Sequence, residues 1–593
     1  MSTSDALPPG LTANLPANLL DIDTLTQLAN AFFKSPAGVL PGETSSGFPA
    51  GGSSYGGHGV GSIREPQSSL PDPHGLAPQE RVPLVPHVAH GLPHSEAGDG
   101  TSAAAYRPAA EQISGSAHGF DLPFARELHE VLQVLRQPAR ATPAVPASSG
   151  SPYYFSEFAR FGQGTGPTGG VNEGALRQEL AANRAVPFDV ELVRRDFPIL
   201  QERVNGRQLV WFDNAATTQK PCCVIDRLSE FYRRENSNIH RAAHELAARA
   251  TDAYEGARET VRGFLNARAV QEIVFVRGAT EAINLVAKTW GDQHIGAGDE
   301  IIVSHLEHHA NIVPWHRLAA EKGAKLRVIP VDDDGQILLD EYTRLLSPRT
   351  KLVAFTQVSN ALGTVTPAKR IAEQAHQAGA KVLIDGAQSV SHMRVDVQDL
   401  DADFFVFSGH KIFGPTGIGV LYGKEALLSD MPPWQGGGNM IEDVSFERVR
   451  YQGAPARFEA GTGNIADAVG LGAALEYVNR IGIDAIGQYE HFLLQYATRL
   501  LKDIPGLRLI GTARDKASVV SFVLDGVKTE EVGAALNQEG IAVRSGHHCA
   551  QPILRRFGVE TCVRPSLAFY NTCAEVDRLV VTVERIASGG FRL

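Results

Sequence analysis

Residues 403–423 read DFFVFSGHKIFGPTGIGVLYG, in which two apolar runs flank a polar, glycine-rich turn. Short apolar runs bounded by turn residues are typical of buried strands. Similar runs recur from about residue 187 onward, and helix-like stretches lie between most of them. The runs are EIVFV (272–276), EIIVS (300–304), KLVAFTQ (351–357), KVLID (381–385), DFFVFS (403–408) and IGVLYG (418–423). This alternation predicts an α/β fold with a mainly parallel sheet, in which ligands bind outside the carboxyl ends of the strands.

The composition sets limits on the class of protein. The chain has 593 residues, of which 43% are hydrophobic and 20% charged, with a net charge of -11. This length predicts about two to four domains. The negative charge argues against nucleic acid as the main partner, because phosphate binding needs a basic surface. No run of about 18 apolar residues occurs, so we expect no membrane span. The N-terminus lacks the basic region of a signal peptide, and five cysteines are too few for a disulfide scaffold, so we expect a reducing cytoplasm.

Proline separates the chain into two unlike parts. Residues 1–180 hold 20 of the 34 prolines, together with several glycine- and serine-rich stretches. Such a composition cannot bury enough apolar surface to offset chain entropy, so we expect residues 1–186 to be a largely disordered extension. We expect a large α/β domain over 187–455, with 187–204 packing on a smaller C-terminal α+β domain over 456–593.

Three short apolar islands interrupt the extension, at about 21–34, 121–136 and 153–161. The first two place their apolar residues on one helical face, and the third is aromatic. Short apolar segments on a flexible tether are typical of docking motifs that fold on a partner. The alternatives are that they pack back on the chain's own globular domain or have no role.

Polar residues follow two of the predicted strands. Gly278 makes a turn from strand into helix, and Thr280 adds a hydroxyl beside the free N–H groups of the helix start, a combination suited to phosphate. Many strand–helix turns contain glycine, so this turn alone is not specific. Asp385 ends a buried strand, where a carboxylate is costly unless it meets a cation or a protonated nitrogen. A helix cap is the other interpretation of Asp385.

A lysine, a cysteine and a histidine are the candidate reactive groups. Lys411 follows a strand and precedes a glycine-rich loop, and an amine in a partly desolvated pocket can attack a carbonyl group, although most lysines are solvated. Cys549 follows Arg544 and two histidines, which favour a thiolate. His308 can stack on an aromatic cofactor or start a helix. No histidine or cysteine set has metal-ligand spacing, so we expect no metal site.

Four motifs occur together: EHHANIVPW (307–315), DGAQSVSH (385–392), SGHKIFGPTGIG (408–419) and RSGHHCAQP (544–552). With these motifs, residues from about 187 to 593 resemble the SufS-like cysteine desulfurases, which are fold-type I enzymes dependent on pyridoxal 5'-phosphate. The resemblance implies a cofactor-binding large domain, a small domain that carries a catalytic-cysteine loop, and a homodimer. It also implies conversion of L-cysteine to L-alanine with a persulfide on Cys549.

The resemblance implies roles for individual residues. Lys411 matches the lysine that holds the cofactor, Asp385 the partner of the ring nitrogen, and Cys549 the nucleophile that takes the sulfur. The further cofactor contacts that it implies are Ala279, Thr280, His308 as the stacking ring, Gln388, Ser408, His410, and Thr462 reaching the neighbouring subunit. The substrate contacts that it implies are His240, Asn360, Arg544 and Arg564.

Three positions depart from the family pattern, and they bear on fine geometry rather than on the reaction class. Ala279 stands where threonine is common, Ala242 where glycine is usual, and Gly463 where proline is usual. Related enzymes that act on selenocysteine or cysteine sulfinate are alternatives, and Cys549 favours cysteine because a persulfide requires a thiol. A catalytically silent scaffold is the non-enzyme alternative, against which Lys411 and Cys549 argue.

The extension has no counterpart in the ordinary members of this family. Its length and composition resemble the cargo-loading segment of desulfurases that are packaged in encapsulin shells. This resemblance implies that the enzyme lies inside an encapsulin nanocompartment in the cytoplasm, with the islands at 21–34, 121–136 and 153–161 as candidates for binding the shell protein. The sequence does not identify the acceptor of the sulfur.

Overall fold

The computed structural model describes residues 189–240 and 244–590, so the three apolar islands lie outside the described residues. The α-helices are α1 (Val190–Arg195), α2 (Cys222–Glu230), α3 (Glu245–Leu265), α4 (Ala279–Val286), α5 (Asp292–His294), α6 (Val313–Lys322), α7 (Leu339–Leu345), α8 (Ala368–Gln377), α9 (Glu425–Asp430), α10 (Ile465–Ile481), α11 (Ile483–Lys502), α12 (Thr529–Gln538), α13 (Gln551–Arg556) and α14 (Cys573–Ala587). The strands are β1 (Arg203–Val204), β2 (Arg207–Gln208), β3 (Val210–Trp211), β4 (Ile273–Val276), β5 (Glu300–Ser304), β6 (Lys325–Ile329), β7 (Thr350–Thr356), β8 (Lys381–Asp385), β9 (Phe404–Ser408), β10 (Gly419–Gly423), β11 (Ile441–Val444), β12 (Val449–Tyr451), β13 (Leu507–Ile510), β14 (Ser521–Leu524), β15 (Ile541–Ala542), β16 (Arg544–Gly546) and β17 (Cys562–Arg564).

A seven-stranded sheet forms the centre of the fold, in the order β4-β10-β9-β8-β7-β5-β6. The pairs β5–β6, β5–β7, β7–β8 and β8–β9 are parallel, whereas β10 is antiparallel to both of its neighbours. The predicted mainly parallel α/β sheet is therefore confirmed. Strand β6 was not among the predicted runs, because its sequence KLRVI is half polar and only its last residue is buried at the sheet edge.

Helices cover both faces of this sheet. Alternate residues of each central strand belong to two separate apolar clusters, as in Ile384 and Leu383 of β8. Residues of α3 and α10 pack in one cluster, and residues of α4 and α6 pack in the other. Burial on both faces explains why the central strands read as nearly continuous apolar runs rather than as alternating ones.

The carboxyl ends of β4, β8 and β9 meet near one edge of the sheet. Asp385 is the last residue of β8, Ser408 is the last residue of β9, and the single helical turn Gly409–Lys411 follows Ser408 directly. The antiparallel β10 begins at Gly419, which pairs with both Ser408 and Val276. A Cβ atom at Gly419 would lie 2.5 Å from the Cα atom of Gly278, so only glycine allows the turn after β4 to approach this closely.

A second, antiparallel sheet with the order β13-β14-β17-β16 lies in the C-terminal part of the chain. Its apolar core includes side chains of α11 and α14, together with Val210 and Phe212 from the beginning of the described region. Strand β3 pairs with β15 in parallel. Arg194 of α1 forms an ion pair with Glu575 at 2.8 Å. The predicted domain boundary between residues 455 and 456 stays a prediction.

None of the helices in residues 189–240 and 244–590 combines the length and the apolar character needed to cross a bilayer.

Candidate active site

Lys411 lies half-buried in the turn after β9. Burial lowers the pKa of its amine to about 8; the charges of Asp385 and Cys549 raise that pKa, and those of Arg564 and Arg544 lower it. Four residues from three separate segments of the sequence therefore act on one amine. With a pKa near 8, an appreciable fraction of the amine is neutral near neutral pH, and the neutral form is the nucleophile.

Asp385 is a buried carboxylate at the end of β8. Burial raises the pKa of this carboxyl, whereas the N–H group of Ala387 and the charge of Lys411 lower it. Its Oδ1 accepts a hydrogen bond from Ala387 at 2.9 Å. Within the described residues, no hydrogen-bond donor reaches Oδ2. A buried carboxylate with one open oxygen is suited to a protonated ring nitrogen, so this residue fits pyridoxal phosphate.

The turn between β4 and α4 is built around Ser408. The Ser408 hydroxyl accepts a hydrogen bond from the backbone N–H of Ala279 at 2.9 Å, and its own proton remains available to a ligand oxygen. A Cβ atom at Gly278 would lie 3.1 Å from this hydroxyl oxygen. Ala279 is buried and Thr280 is exposed in the first turn of α4. This cradle of a helix N-terminus and a hydroxyl fits a phosphate group.

Two more of the predicted cofactor contacts are His410 and Gln388. His410 is adjacent to Lys411 in the chain, and burial together with the charges of Lys411 and Lys220 lowers its pKa to about 4. Gln388 is buried and donates from Nε2 to the carbonyl of Ala215 at 2.7 Å, so its side-chain oxygen remains as an acceptor. His410 is therefore a neutral ring at physiological pH.

His308 is a second neutral ring beside the lysine. Burial, together with the charges of Lys411, His309 and Arg564, lowers its pKa to about 3. Its Nδ1 accepts a hydrogen bond from the N–H of Ala310 at 3.0 Å, which assigns the ring proton to Nε2. A fixed neutral imidazole is suited to stacking on an aromatic cofactor.

Glu307, next to His308, is a buried acid that the sequence analysis missed. It accepts hydrogen bonds from Asn311 Nδ2 at 2.7 Å, from the N–H of Thr356 at 3.0 Å and from the hydroxyl of Ser304. Burial raises its pKa to about 8. The sequence feature that could have identified it is its place three residues beyond the end of β5, in the loop at the carboxyl end of a buried strand.

The loop that carries Cys549 is held against the His308 segment. The N–H of His309 donates to the carbonyl of Cys549 at 2.7 Å, and Asn360 Nδ2 donates to the carbonyl of His548 at 2.8 Å. His548 Nε2 lies 3.0 Å from the carbonyl oxygen of Cys562, on the neighbouring β17. His548 and Cys549 both have φ of 53°, in the left-handed region. Cys549 is half-buried, so it lies between the pocket and solvent.

Two arginines converge on a carboxylate that the sequence analysis did not single out. Asp213 accepts hydrogen bonds from Arg544 Nη2 at 2.9 Å and from Arg564 Nη2 at 3.2 Å. Asp213 raises the pKa of the half-exposed Arg544, whereas burial lowers the pKa of Arg564. The sequence feature that could have identified Asp213 is the run WFDNAATT (211–218), in which polar residues follow an apolar pair.

Arg564 and Asn360 also leave polar atoms open. Arg564 Nη1 donates to the carbonyl of Asn360 at 2.9 Å. Arg564 Nε and Asn360 Oδ1 are buried and have no hydrogen-bond partner within the described residues. A buried guanidinium N–H without a partner costs free energy and is suited to an anionic ligand group.

The structure does not bring His240 and Thr462 into hydrogen-bond contact with the lysine group. His240 Nε2 lies 2.8 Å from Glu255, and His240 Nδ1 lies 3.2 Å from Asn439. The Glu255 carboxylate raises the pKa of His240. Thr462 lies exposed in the loop before α10. Ala242, a departure from the family pattern, lies outside the described residues.

Comparison with known proteins identifies similar chains. The profile of the aminotransferase class-V family matches residues 210–579. A cysteine desulfurase of Synechococcus elongatus is 57% identical over 597 residues, which cover 99% of this chain and 89% of that protein. A probable cysteine desulfurase of Mycobacterium leprae is 67% identical over 406 residues, 68% of this chain and 66% of that protein. The crystal structure of an Escherichia coli cysteine desulfurase, described as an S-sulfonic acid, matches with a TM-score of 0.63 and 41% identity over 68% of this chain and 100% of that one.

Proposed function

The chain belongs to the aminotransferase class-V family as a pyridoxal-phosphate-dependent cysteine desulfurase, and from that premise we propose that Cys549 takes the sulfur of L-cysteine. In the proposed reaction the C–S bond of the substrate breaks and an S–S bond forms on Cys549. A proton replaces sulfur on the substrate's β-carbon, so the products are L-alanine and a Cys549 persulfide. The observation that carries the proposal is that the Cys549 loop is hydrogen-bonded to His309, at 2.7 Å, and to Asn360, at 2.8 Å, which brings a half-buried thiol to the segments beside Lys411.

Each of five residues at or near Lys411 offers one atom or ring that suits a different part of the cofactor. The Lys411 amine would hold its carbonyl carbon, the open Oδ2 of Asp385 would hold the proton of the ring nitrogen, and the Ser408 hydroxyl would donate to the phosphate. The His308 ring would lie against the cofactor ring, and the Gln388 oxygen would accept from its hydroxyl. When bound, pyridoxal phosphate supplies an electron sink that stabilises negative charge at the α-carbon of the substrate.

The chain's own groups then perform the binding and proton-transfer work. Arg564, through its open Nε, and Asn360, through the second N–H of its Nδ2, hold the substrate carboxylate. Lys411 moves protons at the substrate carbon, for which a pKa near the operating pH is suited. Cys549 attacks the substrate sulfur as a thiolate, since the thiol is a poor nucleophile. Its place between pocket and solvent lets the same side chain present the persulfide to an acceptor.

Substitution of Cys549 tests this assignment. We expect Cys549→Ser to keep the absorbance of the bound cofactor and to lose both alanine formation and the persulfide, measured as the mass of one extra sulfur on the trapped peptide. Cys222→Ser is the matched control, because Cys222 is an exposed thiol outside the site. Undiminished turnover of cysteine in Cys549→Ser contradicts the proposal.

A homodimer is the second part of the proposal. His240 and Thr462 match site residues of the family, yet neither joins the lysine group within one chain, which supports their serving the site of a second copy. Mixing Lys411→Ala chains with Thr462→Ala chains tests this. In a mixed dimer one site has both wild-type residues only if Thr462 serves the other chain's site. Mixing should then restore cofactor affinity at half of the sites, and no restoration contradicts the cross-subunit role.

Loading into an encapsulin shell is the third part. The Synechococcus relative matches over 99% of this chain, so the match includes the N-terminal extension. We propose that residues 1–186 direct the enzyme into the shell. Co-expression with a shell protein tests this when the full chain is compared with a chain lacking 1–180, followed by separate deletions of 21–34, 121–136 and 153–161. Equal packaging of the full and the truncated chain contradicts the proposal.

A further inference from the structure

Asp213 lies between the strands that carry the two arginines. Strand β3 runs parallel to β15 with Trp211 level with Ala542, so Asp213 follows two residues later, next to Arg544. On its other side, Asp213 pairs with Ser566, two residues beyond Arg564. The backbone therefore places Asp213 beside both arginines, and its side chain bonds both of them.

The two arginines face each other directly. Arg544 and Arg564 are cross-strand partners in the antiparallel pair of β16 and β17. Two like charges at directly opposite positions of a sheet repel each other. Both side chains bond Asp213, which is 10% exposed, while Arg564 is 2% and Arg544 50% exposed. Two guanidiniums and one carboxylate leave this group with one net positive charge.

One N–H group of Arg564 remains available to bind an anion. Arg564 Nε, a hydrogen-bond donor, is buried without a partner within the described residues. Arg564 donates a hydrogen bond from Nη2 to Asp213 and another from Nη1 to the carbonyl of Asn360. One donor of the buried guanidinium is therefore kept free while the other two nitrogens are fixed in place.

We propose that Asp213, which bonds both Arg564 and Arg544, is a specificity-determining residue that limits the pair to a single net positive charge, matched to the one carboxylate of the amino-acid substrate. This inference rests on the proposed function, in which Arg564 holds that carboxylate. Its consequence concerns the product as well. Alanine carries the same carboxylate as cysteine, so a group with two positive charges would hold the product more tightly and delay its release.

The test uses the holoenzyme and the equilibrium affinity for L-alanine, read from the absorbance of the bound cofactor. Asp213→Asn changes the net charge of the group from +1 to +2 and should tighten alanine binding about tenfold, the size of effect that a nearby charge exerts. Arg544→Gln changes it to 0 and should weaken alanine binding by a similar factor. The double variant restores +1 and should return the affinity close to that of the parent. Asp333→Asn is the matched control, because Asp333 pairs with Arg556 at 2.7 Å on the surface and is 98% exposed.

A second readout separates charge from structure. The charges of Arg544 and Arg564 lower the pKa of Lys411, so Asp213→Asn should also move the spectroscopic pH midpoint of the cofactor site downward, which a merely structural ion pair would not do. Parental or weaker alanine affinity in a folded Asp213→Asn variant overturns the inference. If that variant does not fold, unchanged affinity in Arg544→Gln overturns it. Wild-type enzyme that binds alanine in this way but forms none from cysteine would instead refute the proposed function alone.

Discussion

Gly419→Ala should damage the proposed phosphate turn through a single added methyl group. The new Cβ atom would lie 2.5 Å from the Cα atom of Gly278 and 2.6 Å from the carbonyl oxygen of Phe407. Both atoms belong to the backbone, so no side-chain rotation relieves the overlap. Overpacking of this kind costs about 1–3 kcal/mol, and β4 and β9 flank the substitution on either side. The overlap with Gly278 can be removed only if the turn after β4 moves.

We therefore expect Gly419→Ala to raise the dissociation constant of pyridoxal phosphate by about tenfold, since about 1.4 kcal/mol corresponds to that factor. Spectroscopic titration of the cofactor-free chain measures the affinity, and thermal unfolding measures stability with and without cofactor. Gly256→Ala in α3 is the matched control, because a Cβ atom there meets nothing within 4 Å and alanine favours helices. Parental cofactor affinity together with a parental unfolding temperature in Gly419→Ala would refute this reasoning.

Three further changes have expected outcomes. The cofactor-free chain should take up pyridoxal phosphate at a rate that rises with pH up to about 8 and then levels. The reason is that burial lowers the pKa of Lys411 to about 8 and the neutral amine is the reactive form. A rate that keeps rising toward pH 10 contradicts this. The parent protein should lose stability as the pH rises from about 5 to 8, because Glu307 stays protonated in the folded chain and is ionised in the unfolded chain over this range. Glu307→Gln cannot ionise and should not show this loss. Unfolding temperatures that fall equally with pH in both proteins argue against the prediction. Glu459→Gln should cost about 1.5–3 kcal/mol, because it removes the charge that pairs with buried Arg258 at 2.7 Å while Glu255 still pairs with Arg258. Glu259→Gln, in a surface pair with Arg262, should leave the unfolding temperature unchanged.

The sequence predicted the parts of the site that lie at strand ends. Asp385, Ser408 and Lys411 follow apolar runs, and parallel strands bring such ends to one edge of a sheet. The direction of β10 could not be predicted, because the run IGVLYG is equally apolar in a parallel and an antiparallel strand. The pairing of this strand with β4 is what demands glycine at 419.

The residues that the sequence analysis missed depend on contacts between distant segments. Asp213 acquires its place only when β3 pairs with β15 and Arg544 comes opposite Arg564. Asp213 is more than three hundred residues away from each of these arginines along the chain. Glu307 stood inside a motif that was identified by its histidines, and its burial follows from the packing of Ser304, Asn311 and Thr356 around it. No local pattern encodes either arrangement.

The left-handed backbone at His548 and Cys549 restricts what can replace the proposed nucleophile. At positive φ a side chain branched at Cβ collides with its own backbone, so valine, isoleucine and threonine are disfavoured at both positions. A hydroxyl-bearing replacement at 549 must therefore be serine rather than threonine. Selenocysteine, which is unbranched, would keep the loop geometry and place a heavier chalcogen at the same point, a handle for anomalous scattering at the site of sulfur transfer.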